Sequence, residues 1–187
     1  MASQRLTGIL LVGGTSSRFG APKTLARLAG ETLAERAYRV LGEACQEVIA
    51  VGKRADGLAL PFPLLDDGTE ERAPVFGVIA GLRAAAHEVS VVLPVDCVTI
   101  TADALRALGE AVAVPQTGPL PGAYGRTMLP VLEERVARGV LSLRGVNDRL
   151  LRIDEALLAD VDTQADLVRL DLAALDDDRL ARSQHDL

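Results

Sequence analysis

Short apolar runs rich in Val, Ile and Leu alternate along the chain with stretches whose apolar positions fall three and four residues apart. Residues 8–12, 47–51, 62–65 and 90–95 have the length and composition of buried strands, the third and fourth running into Asp66-Asp67 and Asp96. Residues 32–44 carry Leu33, Ala37, Val40 and Leu41 on one helical face, with Thr32 as N-cap and Glu35 completing a capping box. Residues 75–86 and 101–108 read as further helices, the second with Thr101 and Asp103 at its start. Alternating strands and helices predict an α/β fold: one domain over 1–187, a mostly parallel sheet, and helices on both faces. Residues 115–125 carry three prolines and three glycines and read as a loop or irregular strand near a rim. A helical pattern resumes at Arg126 or Thr127, breaks at Gly139 and turns again near Gly145. The tail after Asp171 is acidic and reads as a helix or a frayed end.

Bulk properties narrow the class. At 187 residues, 49% hydrophobic and 25% charged, the chain is an ordinary folded protein with room for a substantial core. A net charge of −6 argues against holding a nucleic-acid backbone, which calls for a basic surface. A small phosphate ligand needs only local positive charge. No uncharged apolar run approaches the eighteen or so residues of a membrane span, and the run after the polar N-terminus is too short for a signal-peptide core. Cys45 and Cys97 are two lone thiols without metal-type spacing, so a disulfide framework is not expected and the cytoplasm is the default location. Monomer and homo-oligomer are both open.

The candidate chemistry concentrates in residues 8–23. An apolar strand breaks at Gly13-Gly14 into small residues able to bring backbone N–H groups to an anion, and the stretch ends with two cations, Arg18 and Lys23. Only Lys23 and Lys53 among twenty basic side chains are lysines, and a compact ammonium suits a point contact with phosphate. The stretch is not a Walker loop, because five residues lie between Gly14 and Gly20 and Ala21-Pro22 precede Lys23. Nor does Gly13-Gly14 followed by Gly20 make a dinucleotide fingerprint. In an open parallel sheet ligands gather at the carboxyl ends of the strands, which groups this loop with Asp66 and Asp96.

What remains, L-x-G-G-x-S-x-R-[MF]-G-x-x-K, resembles the signature loop of the nucleotidyltransferases typified by molybdenum cofactor guanylyltransferase. The resemblance continues in Leu28-Ala29-Gly30-Glu31-Thr32-Leu33, in residues 73–82, in Val91-Val92-Leu93-Pro94-Val95-Asp96 and in residues 161–167, covering about residues 6–170. It implies a Rossmann-like nucleotidyltransferase fold and transfer of a nucleoside monophosphate, GMP first, from a triphosphate to a phosphorylated acceptor of the molybdopterin type. The resemblance implies that pyrophosphate is released. Arg18, Lys23 and Asp96 are the implied catalytic residues. Leu11, Val12, Gly13, Gly14, Thr15, Ser16, Lys23, Asp66 and Asp96 are implied at the nucleotide, with Asp67 as the alternative to Asp66. Asp96 and Asp162 are implied ligands of Mg²⁺, although Asp162 reads equally well as an N-cap. Arg126, Arg144 and Asn147-Asp148 fall where an acceptor could lie.

The chain also departs from that pattern. Pro22 and Phe19 replace an acid and a Met, Val98 stands where relatives have Pro, and Val51-Gly52-Lys53 lacks an Asn that some relatives use near the nucleotide. The segment 109–125 is short. The alternative readings are a CTP-using or sugar-phosphate or phospho-alcohol nucleotidyltransferase of the same fold, and a catalytically weak nucleotide-binding module.

Overall fold

The computed structural model describes residues 4–13 and 22–170. In chain order the elements are β1 (Leu6–Leu11), β2 (Arg27–Leu28), β3 (Glu31–Thr32), α1 (Leu33–Ala44), β4 (Glu47–Gly52), β5 (Leu64–Asp66) and α2 (Pro74–Ala84), then β6 (Val89–Pro94), α3 (Ala102–Ala111), β7 (Val114–Pro115), β8 (Gly122–Gly125), α4 (Leu129–Ala137) and β9 (Leu150–Leu151).

All six residues of β1 are buried, because it lies in the middle of the main sheet with covering helices on both faces. The sheet order is β5-β4-β1-β6-β8. The first four strands are parallel and β8 runs antiparallel to β6. Side chains of β1 alternate between two cores, as the two-residue period of a strand requires. Leu6 and Leu10 join Leu33, Leu41, Leu105 and Leu108 of α1 and α3. Ile9 and Leu11 join Val75, Val78, Leu82 and Leu132 of α2 and α4. The fold is the expected mostly parallel sheet with helices on both faces. From β1 the chain steps one way to β4 and β5, then returns to place β6 on the other side. That reversal makes the carboxyl edge beside β1 the crevice of the sheet.

Local signals explain the helix starts. Thr32 accepts from the Glu35 N–H and Glu35 reaches back to the Thr32 N–H, so the capping box of α1 is complete. Thr101 caps α3 through the Ala104 N–H. Ahead of α1, β2 and β3 pair across Ala29 and Gly30, with φ of 52° and 83°. Two positive values in succession suit the twist of a two-residue hairpin, and Gly30 takes its place at little steric cost.

Part of segment 115–125 is more regular than its composition predicts. Residues 122–125 form the fully buried edge strand β8, and Val114–Pro115 pairs with Leu150–Leu151. Prolines stop short of β8, and Tyr124 fills the core while its hydroxyl donates to the Pro119 carbonyl at 2.7 Å. The helix expected over 75–86 ends at Ala84, with the Ala85 N–H closing it onto the Gly81 carbonyl. Gly139 and Gly145 both have positive φ, as the breaks in the pattern suggest. Among the described residues no helix is long and apolar enough to cross a membrane.

Candidate active site

A cavity of about 630 Å³ opens at the carboxyl edge of the sheet. Leu11 at the end of β1, Gly13 just beyond it, and Val51 and Gly52 of β4 line it, together with Gly77 of α2. A Cβ on Gly77 would stand 2.7 Å from Leu11 Cδ2, so the missing side chain lets α2 approach the sheet at this point.

Charged groups stand at both ends. At the β6 end lies Lys23, on a short 3-10 turn that Thr24 pins to the end of β1 by donating its hydroxyl to the Val12 carbonyl at 2.8 Å. Lys23 is only 9% exposed. Its Nζ donates to Asp96 Oδ2 at 3.0 Å and to Asp162 Oδ1 at 3.4 Å. Asp96 lies two residues beyond the end of β6, and the segment carrying Asp162 is laid alongside it. The Val161 N–H donates to the Asp96 carbonyl at 3.0 Å, and Cys97 forms a bridge with Asp160. Because Val161 is fully buried between them, Asp160 and Asp162 flank it and both line the cavity. Partial burial, reinforced by Asp96 and Asp162, holds the Asp160 carboxyl above the ordinary carboxylate range, with Lys23 opposing.

The loop after Asp96, which has Val98 where the family resemblance implies Pro, is fixed by hydrogen bonds. The Val98 carbonyl accepts from Arg36 Nε at 3.0 Å, and the Cys97 N–H donates to the Pro94 carbonyl. Burial foremost, then Asp160 and Asp96, pushes the Cys97 thiol up to about 12, so it is not a thiolate nucleophile.

At the β4–β5 end Lys53 meets Asp67. Its Nζ donates to both carboxylate oxygens, at 2.9 and 3.0 Å, and to the Thr69 carbonyl at 2.6 Å. Arg72, paired with Asp56, also lines the cavity.

The structure thus brings Lys23, Asp96 and Asp162 together with Leu11 and Gly13. It treats other expected residues differently. Asp66 does not line the cavity: its carboxylate accepts from the Arg54 and Gly68 N–H groups, which hold it below the usual carboxylate range. The neighbouring Asp67 is the carboxylate in the wall. Val12 turns its side chain into the α1 core, and its N–H is taken by the Val51 carbonyl. Asp162 is not the N-cap of the helical turns over 164–170. Thr163 accepts from the Asp166 N–H there, and Asp166 answers with bonds from the Asp162 and Thr163 N–H groups. Arg126 is spent on the Ala85 and His87 carbonyls, and Asn147 on those of Val112 and Ala123, so both tie backbone together. Gly14, Thr15, Ser16 and Arg18 lie outside the described residues.

Sequence reasoning passed over Asp160 and the part played by Lys53. The first had a signal in Asp160-Val161-Asp162, where two acids flank an apolar residue at the spacing that shares one face of an extended chain. The second had one in the scarcity of lysine.

Asp96 and Asp162 offer an all-oxygen donor pair, the type magnesium takes alongside phosphate oxygens and water. Among the described residues no group of three or more His, Cys, Asp or Glu could hold a metal ion unaided.

A buried lysine among carboxylates, beside Gly13 at the switch point of a parallel sheet, marks an α/β domain whose ligand cavity lies at the carboxyl edge of the sheet. Comparison with known proteins gives the family. The sequence model of the MobA-like NTP transferase domain matches residues 8–159, and the chain belongs to that family. A relative from Opitutus terrae named "Probable molybdenum cofactor guanylyltransferase" is 35% identical over 162 residues, 79% of this chain and 80% of its own. A molybdenum cofactor guanylyltransferase from Desulfosudis oleivorans is 28% identical over 78% of each chain. The crystal structure of molybdopterin-guanine dinucleotide biosynthesis protein A from Archaeoglobus fulgidus superposes with a TM-score of 0.76 at 20% identity, covering 91% of this chain and 99% of that one, a likeness of fold.

Proposed function

We propose that the chain transfers GMP from GTP to a phosphorylated acceptor of the molybdopterin type and releases pyrophosphate. The observation that carries this reading is Lys23, buried between Asp96 and Asp162 at the crevice of the sheet. Relatives covering most of the chain bear the guanylyltransferase name.

In the proposed reaction a phosphate oxygen of the acceptor attacks the α-phosphorus in line. The bond from that phosphorus to the bridging oxygen of the β-phosphate breaks, and pyrophosphate departs with the electron pair. The attacking group is already anionic, so no strong general base is needed. The difficulty is gathering negative charge at one point, and positioned cations answer it. Lys23 is assigned to the α-phosphate and the incoming phosphate, and Arg18 to the β- and γ-phosphates. Asp96 and Asp162 would hold Mg²⁺, which supplies charge neutralisation at the triphosphate when bound. The nucleoside lies toward β4 and β5, with Asp67 rather than Asp66 as the carboxylate that meets it.

Calorimetry with GTP, CTP, ATP and UTP, with and without Mg²⁺, followed by pyrophosphate release in the presence of molybdopterin, tests the reading. GTP preference with acceptor-dependent release is the expected result. A preference for CTP moves the protein to a cytidylyl reaction. Binding without release under any condition leaves a nucleotide-binding module.

A further inference from the structure

We propose that Lys53 is a positioning residue that fixes the Asp67 carboxylate as an acceptor for the N–H edge of the bound base. The inference rests on the guanylyltransferase reading and adds to it the group that sets base preference in this chain.

The two lysines of the chain are both buried, and they stand at different ends of one cavity. Asp67 follows β5 and Asp96 follows β6, three strand intervals apart in the sheet order. At about 4.8 Å per interval, roughly 14 Å separates the two ends. With the phosphates assigned to the Lys23 end, the base falls toward Lys53 and Asp67.

Lys53 is not built as a second phosphate hook. An ammonium has three N–H groups, and three acceptors already engage this one: Asp67 Oδ1, Asp67 Oδ2 and the Thr69 carbonyl. Its bonds reach from the end of β4 to the turn after β5, so it acts as a strut between two neighbouring strand ends. The carboxylate it holds is less fully used. Oδ1 also accepts from the Thr69 N–H at 3.2 Å, whereas Oδ2 accepts only from Lys53 among the described residues. Asp67 lines the cavity with its side chain 8% exposed, and a carboxylate oxygen there with acceptor capacity left suits a ligand edge that presents donors. Guanine presents N1–H and its 2-amino group side by side. Adenine presents an acceptor at N1, and cytosine one at N3. A carboxylate that cannot turn away rewards the first and leaves the others facing a like-polarity oxygen. Without the strut, Asp67 loses its only salt-bridge partner among the described residues, leaving Arg72 to act on it only at longer range, Thr69 loses the donor to its carbonyl, and the acceptor is no longer held in one place.

The test measures Kd for GTP, ITP and ATP on the full chain and on Lys53→Met, Lys53→Gln and Asp67→Asn, with thermal melts of each. ITP keeps N1–H and lacks the 2-amino group. Lys53→Met is expected to weaken GTP at least tenfold while ATP changes less than threefold, so the preference narrows. Lys53→Gln, which keeps donors without the charge, falls between and serves if the Met variant does not fold. Equal losses for GTP and ATP in the Lys53 variants would reduce Lys53 to a purely structural strut and overturn the inference. Preference lost in Asp67→Asn but kept in Lys53→Met would also overturn it, leaving the guanylyltransferase reading intact. Preference narrowed in Lys53→Met but unchanged in Asp67→Asn would show that Lys53 does not act through Asp67, with the same consequence. A wild-type chain with no preference for GTP would overturn the guanylyltransferase reading itself.

Discussion

Replacing Lys23 by Ala should cost stability modestly and activity heavily, and the two losses have different causes. The stability term follows from the ion pairs. At an effective dielectric of about 20, unit charges 3.0 Å apart attract by about 5–6 kcal/mol before any desolvation cost. Breaking a buried pair from one side costs about 3–5 kcal/mol, but the Asp96 side chain is 31% exposed and water repays part of that. The second pair, to Asp162 at 74% exposure, adds little. We therefore expect Lys23→Ala to lose about 1–3 kcal/mol, or roughly 2–4 °C in Tm for each of them. Some of the loss is repulsion among Asp96, Asp160 and Asp162, so adding Asp162→Asn to the variant should restore part of the stability. Activity behaves otherwise. In the proposed reaction Lys23 is the buried cation assigned to the point where two polyanions meet, and losing one such fixed donor costs about 10²–10³ in kcat. Adding Asp162→Asn should not recover it. The assay is pyrophosphate release at saturating nucleotide, run well below the Tm of each variant, beside urea melts. A Lys23→Ala protein that keeps kcat within about threefold of wild type would refute the assignment of Lys23 to the reacting phosphates.

Two further predictions concern the scaffold. Gly42 and Gly81 both lie within helices, yet Ala should act oppositely at the two sites. A Cβ at Gly42 meets nothing within 4 Å, and the gain in helix propensity should stabilise by about 0.5–1 kcal/mol. At Gly81 it would sit 2.7–2.9 Å from three carbons of fully buried Ile9, so overpacking should cost about 1–3 kcal/mol. Paired urea melts read the difference in sign, and stabilisation by Gly81→Ala would mean that α2 packs less closely on β1 than described. Glu47, at the far end of the sheet, tests the acid limb. Burial raises its carboxyl, but the Ala86 N–H, the Thr7 hydroxyl, His87 and Arg126 outweigh it and hold the group below its ordinary 4.5. Its contribution is therefore complete above that value and fades as pH falls through the lowered one. The stability gap between wild type and Glu47→Gln should be wide at pH 7 and shrink below about pH 4. A gap independent of pH would remove the carboxylate as its cause.

How far the sequence could be read followed from which physical signal each part carries. The parallel strands and α1 stood out because burial on both faces gives unbroken apolar runs and a capping box has fixed spacing. Strand β8 carries only Gly-Ala-Tyr-Gly, and its place is set by pairing with β6 rather than by any run of its own. The choice between Asp66 and Asp67 was likewise beyond local pattern. Both accept from an N–H two residues on, and what separates them is their long-range partners: the Arg54 N–H for one and the Lys53 ammonium for the other. Asp160 needed a tertiary fact, the bridge that carries its segment to Cys97. One compositional signal did reach across the fold. In a chain that uses arginine almost everywhere, lysine occurs twice, and both copies line the same cavity in ion pairs with aspartates. Each sits in a buried niche that a planar guanidinium fork would fill differently, whereas a compact ammonium can meet acceptors from several directions. The rarity of a residue type can thus point to a cavity even where no motif surrounds it, as Lys53 does in this chain.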